Sequence, residues 1–85
     1  MYEVFYRKSA QKALLKLPSE IRVEFQQAFR LLAESPTRRD LDVKSLQGRE
    51  GYRLRISQWR AIYRVEAKRL IIIVLDIGSR GDIYK

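Results

Sequence analysis

Apolar residues recur with helical period from residue 10 to residue 32. Ala10, Leu14 and Leu17 fall on one face, and Ile21, Phe25, Ala28 and Leu32 follow at i, i+4, i+7 and i+11. The spacing predicts a short helix over residues 10–17, with Ser9 as its N-cap. A second helix is expected from Pro18, a residue suited to a first helical turn. Ser35-Pro36 ends it, because the residue before proline is steered out of the α region. Two helices meeting at Leu17-Pro18 make an αα-hairpin.

The remaining segments follow a period of two. Residues 2–6 are aromatic and β-branched, which suits a first strand. Residues 52–56 alternate, with Tyr52, Leu54 and Ile56 on one face and Arg53 and Arg55 on the other. Residues 59–65 continue the pattern, and residues 70–77 are apolar on both faces, as in a central strand. Hairpin corners are expected at residues 57–58 and 67–68, and Gly78 is expected to break the last strand. Residues 37–51 read as a long polar loop tied to the core by Leu41, Val43 and Leu46. The order β-α-α-β-β-β predicts an α+β fold, a mostly antiparallel four-stranded sheet with the αα-hairpin on one face.

With 85 residues the chain has the length of one domain, residues 1–85, and 46 % hydrophobic residues suffice for one small core. Cysteine and histidine are both absent. That excludes disulfides, thiolate nucleophiles, Cys/His zinc sites and imidazole-based proton transfer. The charge of +8 favours a polyanionic partner. No apolar run approaches a membrane span, and Met1-Tyr2-Glu3-Val4-Phe5-Tyr6 lacks the features of a signal peptide. A soluble cytoplasmic protein without a membrane partner is expected.

Residues 51–85 hold eight basic and three acidic side chains, and six of the eight are arginines: 53, 55, 60, 64, 69 and 80. Arginine presents a rigid fork of donors matched to phosphate. Alternation sets Arg53 and Arg55 on the sheet face away from the helices, and hairpin pairing brings Arg60 near one of them. Arg80 follows the central strand and Tyr84 lies four residues beyond. An Arg-X-Arg strand is most often only a solvated sheet face. Here the concentration of arginine, with no acid interleaved in those strands, points to a ligand that carries phosphates or carboxylates.

The ordered set Gly51-Tyr52-Arg53-Leu54-Arg55-Ile56, Trp59-Arg60-Ala61-Ile62-Tyr63-Arg64-Val65, Val74-Leu75-Asp76-Ile77-Gly78-Ser79-Arg80 and Asp82-Ile83-Tyr84 resembles the RelE toxins of type II toxin–antitoxin systems. Lys8-Ser9-Ala10, Leu17-Pro18 and Leu46-Gln47-Gly48 extend the resemblance over nearly the whole chain. It implies a microbial-RNase-like fold and a ribosome-dependent endoribonuclease that cleaves mRNA in the A site without metal or other cofactor. The substrate's own 2′-hydroxyl would attack the adjacent phosphodiester. By the same resemblance Arg55, Arg60, Arg80 and Tyr84 would be catalytic, with Arg53 and Arg64 binding RNA. The family often carries lysine where this chain has Arg53 and Arg55. Arginine stays protonated at any physiological pH, so Arg55 is expected to stabilise charge rather than act as a base. Expected partners are the ribosome, mRNA and an acidic, partly disordered antitoxin, which assembles into a higher-order complex with a toxin that is monomeric when free. The alternative is a ParE-like toxin that inhibits DNA gyrase by protein binding. A third reading is a non-toxic chain of the same fold that binds RNA or only its partner.

Overall fold

The computed structural model describes residues 1–79, so Arg80 and Tyr84 of the expected site lie outside the described residues. The first strand, β1 (Glu3–Tyr6), is followed at once by helix α1 (Lys8–Lys16). The Arg7 N–H still donates to Val74 O at 2.8 Å, while Arg7 O already accepts from Gln11 at 2.9 Å. Arg7 is therefore the N-cap, with no side-chain cap bond, and Ser9 sits inside the helix rather than at its start. Strand pairing, not a serine hydroxyl, sets where this helix begins.

Helix α2 (Ser19–Glu34) takes Pro18 as its N-cap, and Ser35 is extended, as the following Pro36 requires. Its stripe buries Phe25, Ala28, Phe29, Leu32 and Ala33, with Ile21 packed at the margin. Strands β2 (Val43–Ser45), β3 (Tyr52–Ile56), β4 (Trp59–Glu66) and β5 (Ile71–Ser79) complete the chain of elements. Among the described residues the sheet has five strands in the order β1-β5-β4-β3-β2, antiparallel except for the parallel β1–β5 pair. The sequence pattern predicts four. The extra one, β2, lies in the expected loop, and its three residues are too few to show an alternation.

Two further expectations are corrected. Gly78 does not break the last strand; it pairs with Arg60 and stays in the ladder. The β4–β5 register also shifts, with Ile62 opposite Asp76 but Tyr63 opposite Val74, so Leu75 is the extra residue of a β-bulge. The turn after β3 is at the expected place, with Ser57 at φ 57° supplying the left-handed conformation without glycine.

The core lies between the helices and one sheet face. Phe29 meets Tyr6 and Tyr63 edge-on, at centroid distances of 5.9 and 5.4 Å, and Tyr52 stacks on Tyr63 from the sheet rim at 5.5 Å. Burial pushes the Tyr63 phenol well above its usual range, with Tyr52 adding to the effect. At Gly51, φ is +124° and an added Cβ would lie 3.0 Å from Tyr63 O, so this approach to β4 requires glycine.

Candidate nucleic-acid interface

Alternation along β3 and β4 divides the side chains between the two sheet faces. Leu54, Ala61 and Tyr63 join the core, whereas Arg53, Arg55, Arg60, Ile62 and Arg64 stand on the opposite face. Arg55 is the direct register partner of Arg60, and Arg53 that of Ile62. On the far side of Arg60 stands Gly78, which presents no side chain, and on the far side of Arg53 stands Lys44. The structure thus brings Arg53, Arg55 and Arg60 together as expected. Arg64 lies four residues along β4 from Arg60, about 13 Å away. It pairs with Glu66 at 3.1 Å and stands apart from the cluster.

Direct opposition of like charges across a sheet is unfavourable, so the Arg55–Arg60 pair needs an explanation. Part of it is Asp42, which the sequence pattern did not single out. Its Oδ2 accepts from Arg55 Nε at 2.6 Å and its Oδ1 from Arg53 Nη2 at 2.9 Å. The Arg55 N–H donates in turn to Asp42 O at 2.9 Å, extending the β2–β3 ladder by one position. One carboxylate therefore spans both arginines of β3. The signal was faint in sequence because Asp42 is remote from the Arg-X-Arg motif and becomes its neighbour only through β2.

Arg60 has no such partner among the described residues. It is only 8 % exposed, and its Nη1 is buried without a hydrogen bond, as are Arg53 Nε and Arg64 Nε. A buried donor left unmet costs about 1–3 kcal/mol. Two of these three donors, on Arg53 and Arg60, belong to the arginine cluster. Arg55, about half exposed, offers its outer guanidinium edge to the same face. Arg80 and Tyr84 lie outside the described residues. Among the described residues, no three His, Cys, Asp or Glu side chains gather to hold a metal. Nor is any helix long and apolar enough to cross a membrane.

Comparison with known proteins bears on this fold. RelE in a RelE–RelB complex from Pyrococcus horikoshii is similar over 95 % of this chain and 97 % of its own, with 33 % identity and a TM-score of 0.82. A toxin–antitoxin complex from Mycobacterium tuberculosis, RelBE2, contains a chain 26 % identical, with a TM-score of 0.76 over 93 % of this chain and 98 % of that one. The isolated RelE toxin of Escherichia coli, 24 % identical, shares the fold with a TM-score of 0.79 over 99 % of this chain and 92 % of its own. Fold and comparisons together define a toxin of the RelE/ParE superfamily. The family model for the ParE toxin of the type II toxin–antitoxin system parDE matches residues 4–84, and the chain belongs to that family.

Proposed function

We propose that this toxin is a metal-independent endoribonuclease that cleaves mRNA in the ribosomal A site and so blocks translation in the cytoplasm. The observation that carries the reading is the Arg53–Arg55–Arg60 cluster, with its two buried, unmet guanidinium donors, Arg53 Nε and Arg60 Nη1. In the reaction the 2′-oxygen of the substrate forms a bond to phosphorus as the bond to the 5′-oxygen breaks. A 2′,3′-cyclic phosphate and a 5′-hydroxyl result, and a proton passes from the attacking to the leaving oxygen through the site. The nucleophile is already tethered to its target, so positioning and charge stabilisation are what the protein must supply. Arg55 and Arg60 stabilise the charge that develops on the phosphorane. Arg80 is assigned a second phosphate contact, and Tyr84 base stacking or proton transfer. Arg53 and Arg64 hold the RNA strand on either side.

Asp42 acts on this chemistry through the arginines it holds. Asp42→Asn removes one negative charge from the face and one fixed end of the Arg53–Arg55 fork. RNA binding is expected to be as tight or tighter, while kcat falls about 10- to 100-fold, the scale of a misplaced reacting group. A raised KM with unchanged kcat would contradict the positioning role.

The family match favours a second reading, inhibition of DNA gyrase through protein binding without nuclease activity. Mapping 5′-hydroxyl ends on translated messages, with gyrase supercoiling assayed in parallel, separates the two. Breaks that appear only on translated mRNA support the first, and loss of supercoiling with intact mRNA supports the second. The relatives solved with RelB support a cognate antitoxin here as well. Its expected form is an acidic segment, partly disordered when free, whose encounter with a +8 monomeric toxin is steered by charge.

A further inference from the structure

Besides the arginine face, the molecule carries a second cationic feature. Helix α1 contains Lys8, Lys12 and Lys16 and no acidic residue. The three lysines are exposed and spaced four apart, so they form one row along the helix. Lys12 stands two residues from both Ala10 and Leu14, the residues that α1 buries. At about 100° per residue, the row lies on the side of the helix opposite its core contact. The lysines thus face outward from the helix layer, while the arginines face outward from the far side of the sheet.

This row is locally unfavourable. Like charges at i, i+4 repel, and Lys8 sits at the positive end of the helix dipole. Among the described residues no carboxylate pairs with any of the three. Only Leu15 adds an exposed large hydrophobic residue to α1. Protein interfaces are depleted of lysine and built around apolar anchors, whereas lysine suits sequence-independent contact with a phosphate backbone. We infer that the Lys8–Lys12–Lys16 row of α1 is a second RNA-binding surface, which docks the toxin on the backbone of a structured RNA while the arginine face holds the strand to be cut. That the structured RNA is ribosomal rests on the function proposed above.

The test compares the purified chain with a Lys8→Gln, Lys12→Gln, Lys16→Gln variant, since glutamine keeps helix propensity close to that of lysine. The probes are a protein-free ribosomal RNA hairpin, 70S ribosomes and a polyglutamate peptide, each titrated at several salt concentrations. The variant is expected to lose at least about tenfold in affinity for both RNA probes. Its log K against log salt slope should shrink by about 2 units, with helicity by circular dichroism retained. Unchanged RNA affinity and slope would overturn the inference. So would a loss confined to the polyglutamate peptide, which would assign the row to an acidic protein partner. These readouts are binding alone, so they stand even if the unmodified chain proves to cut no RNA.

Discussion

Replacing Arg60 with alanine is expected to lower mRNA cleavage on the ribosome by roughly 100- to 1000-fold, the effect of removing one donor aimed at developing charge. Arg60 is the register partner of Arg55 and of Gly78, so it faces a second arginine across one ladder and a residue without a side chain across the other. Its burial strengthens whatever its guanidinium contacts, because little water competes there. The fold should survive, since the described residues offer Arg60 no ion pair to break and its Nη1 bonds to nothing. Arg69→Ala is the natural control. Arg69 is largely exposed and meets Glu66 at 3.1 Å on the turn between β4 and β5, outside the cluster. A wild-type rate for Arg60→Ala, measured by primer extension on a translated message, would remove the cluster from the chemistry.

The largest effect on stability is expected from Phe29→Ala. Phe29 is 1 % exposed and lies between Tyr6 of β1 and Tyr63 of β4, with Phe25 6.5 Å away along α2. Truncating a buried phenylalanine removes about 3–5 kcal/mol, a large part of the roughly 4–13 kcal/mol that stabilises a domain of this size. Urea denaturation should show a midpoint shifted far down or an unfolded chain at 25 °C. Phe29→Leu keeps an apolar branched side chain in the site and should retain a cooperative transition. A midpoint for Phe29→Ala within experimental error of the unmodified chain would mean that the aromatic cluster does not hold helices and sheet together.

The helices were legible in sequence because their apolar stripes are long enough to define a period and Pro18 and Pro36 mark their ends. Strands β3 and β4 were legible because Arg53 and Arg55 alternate with Leu54 and Ile56, and Arg60, Ile62 and Arg64 with Ala61 and Tyr63. That same alternation placed the arginines on the face away from the helices. What could not be read depends on contacts between distant segments. The start of α1 follows from a bond between Arg7 and Val74, and β2 exists because Val43 pairs with Leu54. Asp42 enters the site by the same route. The bulge at Leu75 leaves no trace in a run of apolar residues, where shifting the register by one changes nothing visible in the pattern.

The central claim is that the RNA supplies its own nucleophile to a site built from arginines. It is tested most directly by a message carrying a single 2′-deoxynucleotide immediately 5′ to the mapped cleavage position, translated in the presence of the purified toxin. DNA-like sugar at that one residue removes the 2′-hydroxyl and leaves the phosphate and base in place. The account predicts that cleavage at that bond is abolished while other sites on the same message are still cut. Cleavage there at the unmodified rate would contradict it, because the attacking oxygen would then have to come from elsewhere.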